Sequence, residues 1–197
     1  MERLILARHG ESVFSAKRLV NGDFAVAGPL TPRGVDEARA LADALAGERI
    51  DLCATSRFER TRETADLALA GRGVPRVVVA ELDDPGYGSF EGGALNEYRA
   101  WARTVSSDVH APGEGESRRT IVARYAAGFR HLLQRSERTI LAVIHSLPIA
   151  YLLAARDGDP PNRVVPLVEH AHAYPFEREE VERAVRVLEA WLAEPTW

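Results

Sequence analysis

Lysine is almost missing from this sequence: of 25 basic residues among 197, 24 are arginine and only Lys17 is lysine. GC-rich coding bias is the plain explanation, so any reading of the arginines as planar forks for phosphate has to be argued site by site. Cysteine is scarcer still. Cys53 stands alone, which excludes an internal disulfide and places no demand on the redox compartment. Within the apolar run DLCAT it reads as a buried, inert thiol rather than a nucleophile. No apolar run approaches the length of a membrane span, and the N-terminal one is too short for a signal-peptide core, so a cytoplasmic protein is expected. Excess positive charge is lacking too: the net charge of −4 argues against broad binding to nucleic acid or membrane surfaces. No repeat, linker or low-complexity tract divides the chain, and residues 1–197 are expected to form one domain with its own core.

What is present alternates. Four short aliphatic runs read as buried strands: RLILAR (3–8), DLCATS (51–56), RVVVAEL (76–82) and RTILAVIH (138–145). A fifth candidate lies around 167–174. Helical patterns fall between them. Thr31 and Pro32 open one that sets Val35, Ala38, Leu41, Ala42 and Leu45 on a single face. Others cover 57–70, stopped by Gly71 and Gly73, then 116–136, 146–155 and an amphipathic 177–193. Strand–helix alternation predicts a three-layer α/β/α fold with a mainly parallel sheet. Segments 18–30, 83–93 and 105–116, rich in Gly, Pro, Asp and Ser, read as loops.

In an open α/β sheet, ligands sit beyond the carboxyl ends of the strands, so the residues there come first. The first strand ends in Arg8-His9-Gly10-Glu11 and the second in Thr55-Ser56-Arg57, with Arg60 just inside the next helix. Asp83 and Asp84 follow the third, and His145-Ser146 follow the fourth at a helix start. Two histidines, at least two arginines, a carboxylic acid and two helix N-termini are thereby gathered on one rim. Helix N-termini and guanidinium forks suit a phosphate dianion. A histidine can attack phosphorus through one nitrogen while the other is held by an acceptor, and neighbouring arginines keep it neutral. A protonated carboxylic acid can supply the leaving group's proton and then act as base toward water. Arginine and backbone donors can carry the transition-state charge, so no metal or other cofactor is expected.

These residues resemble the histidine phosphatase superfamily, the phosphoglycerate mutase-like proteins. RHGES (8–12) is similar to its signature, SRFERTRETA (56–65) to its second arginine block, GYGSFEG (86–92) to its Gly-x-Trp-Glu-Gly block, and AVIHSLPIAYLL (142–153) to its second histidine block. GEGES (113–117) with Arg124 fits a weaker one. The match runs to about residue 155. The resemblance implies that His9 is the phosphorylated nucleophile, that Arg8, Arg60 and His145 grip the phosphoryl group, and that Ser146 offers a backbone N–H. The family acid, usually Glu, falls on Asp84 by counting back from Gly88, with Asp83 and Glu81 as rivals. Ser146 replaces a glycine, and Phe90 stands where tryptophan is common. Asn21, Gly22 and Arg18 lie where the family contacts its substrate beyond the phosphate.

The family's mutases carry a long insertion with paired arginines between the acid block and GES. Here Gly93 to Gly115 is short, and Arg118-Arg119, placed after GES, reads as a solvated helix face. The expectation is therefore a phosphomonoesterase acting on a small phosphate ester, with no nucleic-acid or membrane partner and a homodimer allowed. The alternatives are mutase-type phosphotransfer, a non-catalytic phospho-ligand module, and a phosphatase of phosphohistidine proteins. Arg57 and Arg62 read as surface ion-pair residues and Glu11 as a structural partner. His170 and His172, two imidazoles on one strand face, could hold zinc, but an ordinary edge strand is preferred.

Overall fold

The computed structural model describes residues 1–197. Five strands, β1 (Arg3–Arg8), β2 (Leu52–Thr55), β3 (Arg76–Val78), β4 (Thr139–Ile144) and β5 (Ala173–Glu177), form one sheet in the order β3-β2-β4-β1-β5. All neighbours are parallel except β5, which runs antiparallel to β1. Seven helices accompany them: α1 (Val13–Ala16), α2 (Pro32–Ala44), α3 (Glu59–Ala68), α4 (Leu95–Ala102), α5 (Arg118–Leu133), α6 (Ser146–Arg156) and α7 (Arg178–Ala193).

Strand periodicity assigns the layers. Leu4 and Leu6 of β1, with Ile140, Ala142 and Ile144 of β4, face Tyr125, Phe129, Tyr151 and Leu188 of α5, α6 and α7. Ile5, Ala7, Leu141 and Val143 face the opposite way, onto Leu41 of α2 and Ala65 and Ala68 of α3. Both faces are covered, which is why these strands read as unbroken apolar runs. The fold is the expected α/β/α sandwich. Cys53 is buried in it, and burial pushes its thiol up to about 12.

Three local expectations change. β3 stops at Val78, and a single 3-10 turn, Ala80–Leu82, carries the chain over the rim instead. The last strand begins at Ala173, not 167, because Ala171 adopts a left-handed φ of 47° and ends any alternation before it. His170 and His172 therefore precede the edge strand and do not share a strand face. α4 was not expected from the sequence. Its N-cap, Ala94, makes no side-chain capping bond, so the usual start signal is missing.

The register positions the rim. Arg8 pairs with Ile144 at the ends of adjacent β1 and β4, and the His9 N–H donates to the Ile144 carbonyl at 2.9 Å. His9 and His145, far apart in the chain, each follow one member of that pair. Behind them α2 approaches closely: a Cβ on Gly34 would lie 2.1 Å from the Glu11 carbonyl oxygen, and one on Gly10 would lie 2.4 Å from the Gly34 oxygen. Helix propensity favours Gly34→Ala by about 1 kcal/mol, yet a backbone clash of this kind costs about 1–3 kcal/mol or more. The clash wins, because neither carbonyl is the end of a flexible side chain. Gly34→Ala should lower the melting temperature by about 2–8 °C; a rise in a thermal melt would show that the two segments are not in contact.

Candidate active site

At the carboxyl end of the sheet lies a cavity of about 380 Å³ lined by Arg8, His9, Asn21, Arg60, Asp84 and Ser146 among others. His9 is set by its neighbours. Its Nδ1 lies 2.7 Å from the Gly10 carbonyl oxygen, which only accepts, so Nδ1 carries the proton and Nε2 is left as a base. The Gly10 N–H in turn donates to Thr64 Oγ1 at 3.0 Å. Arg60 Nε donates to His9 Nε2 at 3.2 Å. Burial first, then Arg60, His145 and Arg8, hold the His9 imidazole well below its ordinary pKa, so the ring is neutral.

His145 sits beside it, with ring centroids 5.4 Å apart. It is fully buried behind Arg60 and Asp84. Its Nδ1 accepts from Arg60 Nη2 at 3.4 Å, which leaves Nε2–H to donate to Ser56 Oγ at 2.8 Å. Ser56 Oγ passes its own proton to Thr61 Oγ1 at 3.0 Å, and Thr61 donates to the Phe58 carbonyl at 2.8 Å. This relay fixes the ring's orientation. Burial, reinforced by Arg60 and Arg8, also keeps His145 neutral.

Arg60 is the hub. Besides the two histidines it donates from Nη1 to Asn21 Oδ1 at 2.7 Å, and from Nη2 to the Asn21 carbonyl at 3.1 Å and Asp84 Oδ2 at 2.9 Å. Its guanidinium also lies over the Phe58 ring, 4.2 Å from the centroid. Arg8 donates to the Val168 carbonyl at 2.8 Å, while its buried Nε has no partner. Burial lowers its pKa to about 10, so it remains a cation at neutral pH. Ser146 is the first residue of α6, where a helix leaves its N–H without an intrahelical acceptor. Its hydroxyl accepts from the Val168 N–H at 3.1 Å.

Of the three candidate acids, only Asp84 lines the cavity. Burial raises its pKa despite Arg60 and Arg8 nearby, favouring the protonated form. Both oxygens of Asp83 are engaged by Arg57, at 2.9 Å from its N–H and 2.6 Å from Nε. Glu81 is outside the lining, and only its carbonyl is used, by Arg124. That arginine also donates to the carbonyls of Asp83 and Asp84, and is clamped by Glu116 at 2.7 Å. The Gly-Glu-Ser block thus pins the segment that presents Asp84. Glu91 does the same for the opposite loop, accepting from the N–H groups of Gly22 and Tyr87.

Several expected contacts are placed differently. Gly22 does not line the cavity; its N–H goes to Glu91, and a Cβ there would lie 1.9 Å from the Pro85 oxygen. Arg118 is buried and lines the cavity, whereas Arg119 is exposed, so the pair does not form a solvated face. Arg57 pairs with Asp83 and stacks on Phe24. Glu11 accepts from the Thr31 hydroxyl at 2.9 Å and lies 3.8 Å from Arg33. His170 donates through Nδ1 to the His9 carbonyl at 2.8 Å, its ring 5.6 Å from that of His9. His172 packs on Tyr174 instead. The sequence did not single out Ser56, Thr64 and His170 as supports of the histidines, because each acts through a contact made only on folding.

Residues 4–190 match the family model of the histidine phosphatase superfamily (branch 1), so the resemblance extends well past residue 155, through β5 and most of α7. The adenosylcobalamin/alpha-ribazole phosphatase of Escherichia coli (strain K12) is 31% identical over 170 residues, covering 80% of each chain. A 2,3-bisphosphoglycerate-dependent phosphoglycerate mutase of Methylobacterium is 36% identical over 179 residues, covering 80% of this chain and 82% of its own. The crystal structure of the alpha-ribazole phosphatase from Shigella flexneri superposes with a TM-score of 0.75 at 26% identity, covering 88% of this chain and 89% of that one. No helix is long and apolar enough to cross a membrane. With two histidines and two arginines at the rim of the shared fold, this chain belongs to the histidine phosphatase superfamily and is a phosphatase of that type.

Proposed function

We propose that the protein hydrolyses a small phosphomonoester through a phosphohistidine on His9. The observation that carries this reading is the tautomer of His9: Nδ1–H is fixed on the Gly10 carbonyl, and Nε2 is a neutral base beside the Arg60 guanidinium, 3.2 Å away. Phosphoryl oxygens take over the Arg60 donors from His9 and His145, joined by Arg8 and the Ser146 amide. His9 Nε2 then attacks phosphorus, and the bond to the ester oxygen breaks. Asp84, protonated, gives its proton to that departing oxygen. In the second half, Asp84 as carboxylate takes a proton from water, which attacks the phosphohistidine and releases inorganic phosphate. Charge on the transferring group is balanced by guanidinium and backbone donors.

The test is direct. Protein mixed with a phosphate-labelled aryl ester and quenched in alkali should carry label that is stable to base, lost in acid, and located on His9. Turnover should persist in excess chelator. Label on another residue, or turnover abolished by chelation, sinks the mechanism. The similarity to a phosphoglycerate mutase supports a second reading, in which the phosphoryl group returns to an organic acceptor. Product analysis separates the two: inorganic phosphate supports the phosphatase, and positional transfer on phosphoglycerate supports the mutase. Tight phosphate binding with neither product would leave a non-catalytic binding module.

A further inference from the structure

Arginine is common here, but its pairing is uneven. Thirteen of the 24 arginines have a carboxylate within ion-pair distance and eleven do not. Six of those eleven line one cavity, the one holding His9, and Asp84 is the only acid there. Coding bias does not sort unpaired cations into a single cleft. Arg8 belongs to the phosphoryl grip. Most of the others gather on α4, the start of α5 and the segment before β5, away from the strand ends.

Arg118 is the most telling. It is only 9% exposed, it lines the cavity, and its Nε has no hydrogen-bond partner. Its neighbours are aromatic: it lies 5.6 Å from the Tyr98 centroid and reaches the Tyr151 hydroxyl only at 3.5 Å. It also opens α5, a sixteen-residue helix, at the end where the helix dipole disfavours a cation. A desolvated cation in such a place is costly without an anion beside it. Arg163 repeats the pattern with a second buried, unpartnered Nε, while its Nη1 donates to the Arg103 carbonyl at 3.2 Å. Arg99 donates to the Val165 carbonyl at 3.0 Å, which ties α4 to the same wall.

We propose that Arg118 and Arg163, flanked by Arg99 and Arg103, form a second anion subsite, so that the substrate is a phosphomonoester bearing a further carboxylate or phosphate. The inference rests on the phosphatase reading for the first phosphate and adds what recognises the rest of the molecule. These arginines come from α4 and the residue that caps its end, from the residue after Gly-Glu-Ser and from the approach to β5.

The experiment compares short straight-chain alkyl phosphates that end in methyl, carboxylate or phosphate, across chain lengths. At the best length, kcat/KM should be at least about tenfold higher for an anionic end than for methyl, since the anion gives the desolvated Arg118 a charge-assisted bond and the methyl leaves it unpaired. The ranking of carboxylate against phosphate identifies the second anion. In Arg118→Met the anionic-to-methyl ratio should collapse toward one, and added salt should shrink it in the wild type. General misfolding would lower both substrates together and leave the ratio unchanged. Calorimetry with the matching phosphonates, whose P–C bond the enzyme does not cleave, reads the same preference without turnover. A preference in calorimetry without hydrolysis would overturn the phosphatase reading and keep the subsite. Hydrolysis dependent on His9 with equal rates for all three ends, or a ratio untouched in an Arg118→Met protein that keeps wild-type activity on the methyl-ended substrate, would overturn the subsite alone.

Discussion

Replacing His9 with alanine should reduce turnover of every phosphomonoester by about 10⁴-fold or more, the scale seen when a nucleophile is removed from a unit of mutually dependent groups. The loss should lie in kcat, and alkali-stable labelling should vanish with it. The variant should remain folded, because His9 is anchored at its edges by the β1–β4 pairing, which depends on its backbone N–H rather than on its ring. The Arg60 guanidinium keeps its bonds to Asn21 and Asp84, so phosphate should still bind and protect the variant in a thermal melt. Activity retained at even a hundredth of wild type in the purified variant would mean that another group attacks phosphorus.

The second large effect separates the two halves of the reaction. Asp84→Asn should slow hydrolysis of an alkyl phosphate by about 10²–10⁴-fold, the usual contribution of a general acid. An aryl phosphate, whose leaving group departs as a stable anion, needs no such proton. Its first turnover should stay fast in the variant, giving a burst of phenolate followed by a slow steady state as unhydrolysed phosphohistidine accumulates. The pH profile follows from the same assignment. Burial raises the Asp84 pKa, so the donating acid form is present at low pH and is lost as pH rises through that value. His9 is held well below its ordinary range and stays a neutral nucleophile on the acid side. For alkyl phosphates kcat/KM should therefore decline as pH rises through the Asp84 pKa, and the decline should disappear in Asp84→Asn. Equal slowing of the first turnover on both substrates, or an unchanged alkaline limb, would move the acid role elsewhere. Glu81 and Asp83 are poor heirs, since the first does not line the cavity and the second is engaged by Arg57.

The legible parts of this protein are those written in local pattern. Unbroken apolar runs at 3–8 and 138–145 specify strands covered on both faces, and the polar residues immediately after each run lie at the sheet's carboxyl edge wherever the strands pair. Arg8, His9 and His145 could be named for that reason, and Arg60 from its place in the first turn of the helix after β2. Element ends were less legible. α4 lacks a side-chain cap, and the run from 167 gives way at Ala171, where a backbone twist set by pairing with Arg8 moves the strand onset to Ala173.

Tertiary structure alone decided three things. Adjacent pairing of β1 and β4 brings His9 and His145 within ring-contact distance, a matter of strand order that no local pattern encodes. Choice among the neighbouring acids depended on which faces the cavity, and that is set by Arg57 and Arg124 pulling on either side of Asp84. The burial of Arg118 came from the aromatic wall of α4, a helix with no start signal, so a residue that reads as solvated in the chain becomes a desolvated cation in the fold. Local sequence dictates which groups reach the rim; long-range packing dictates which of them lose water, and with it their partners, their protonation states and their chemistry.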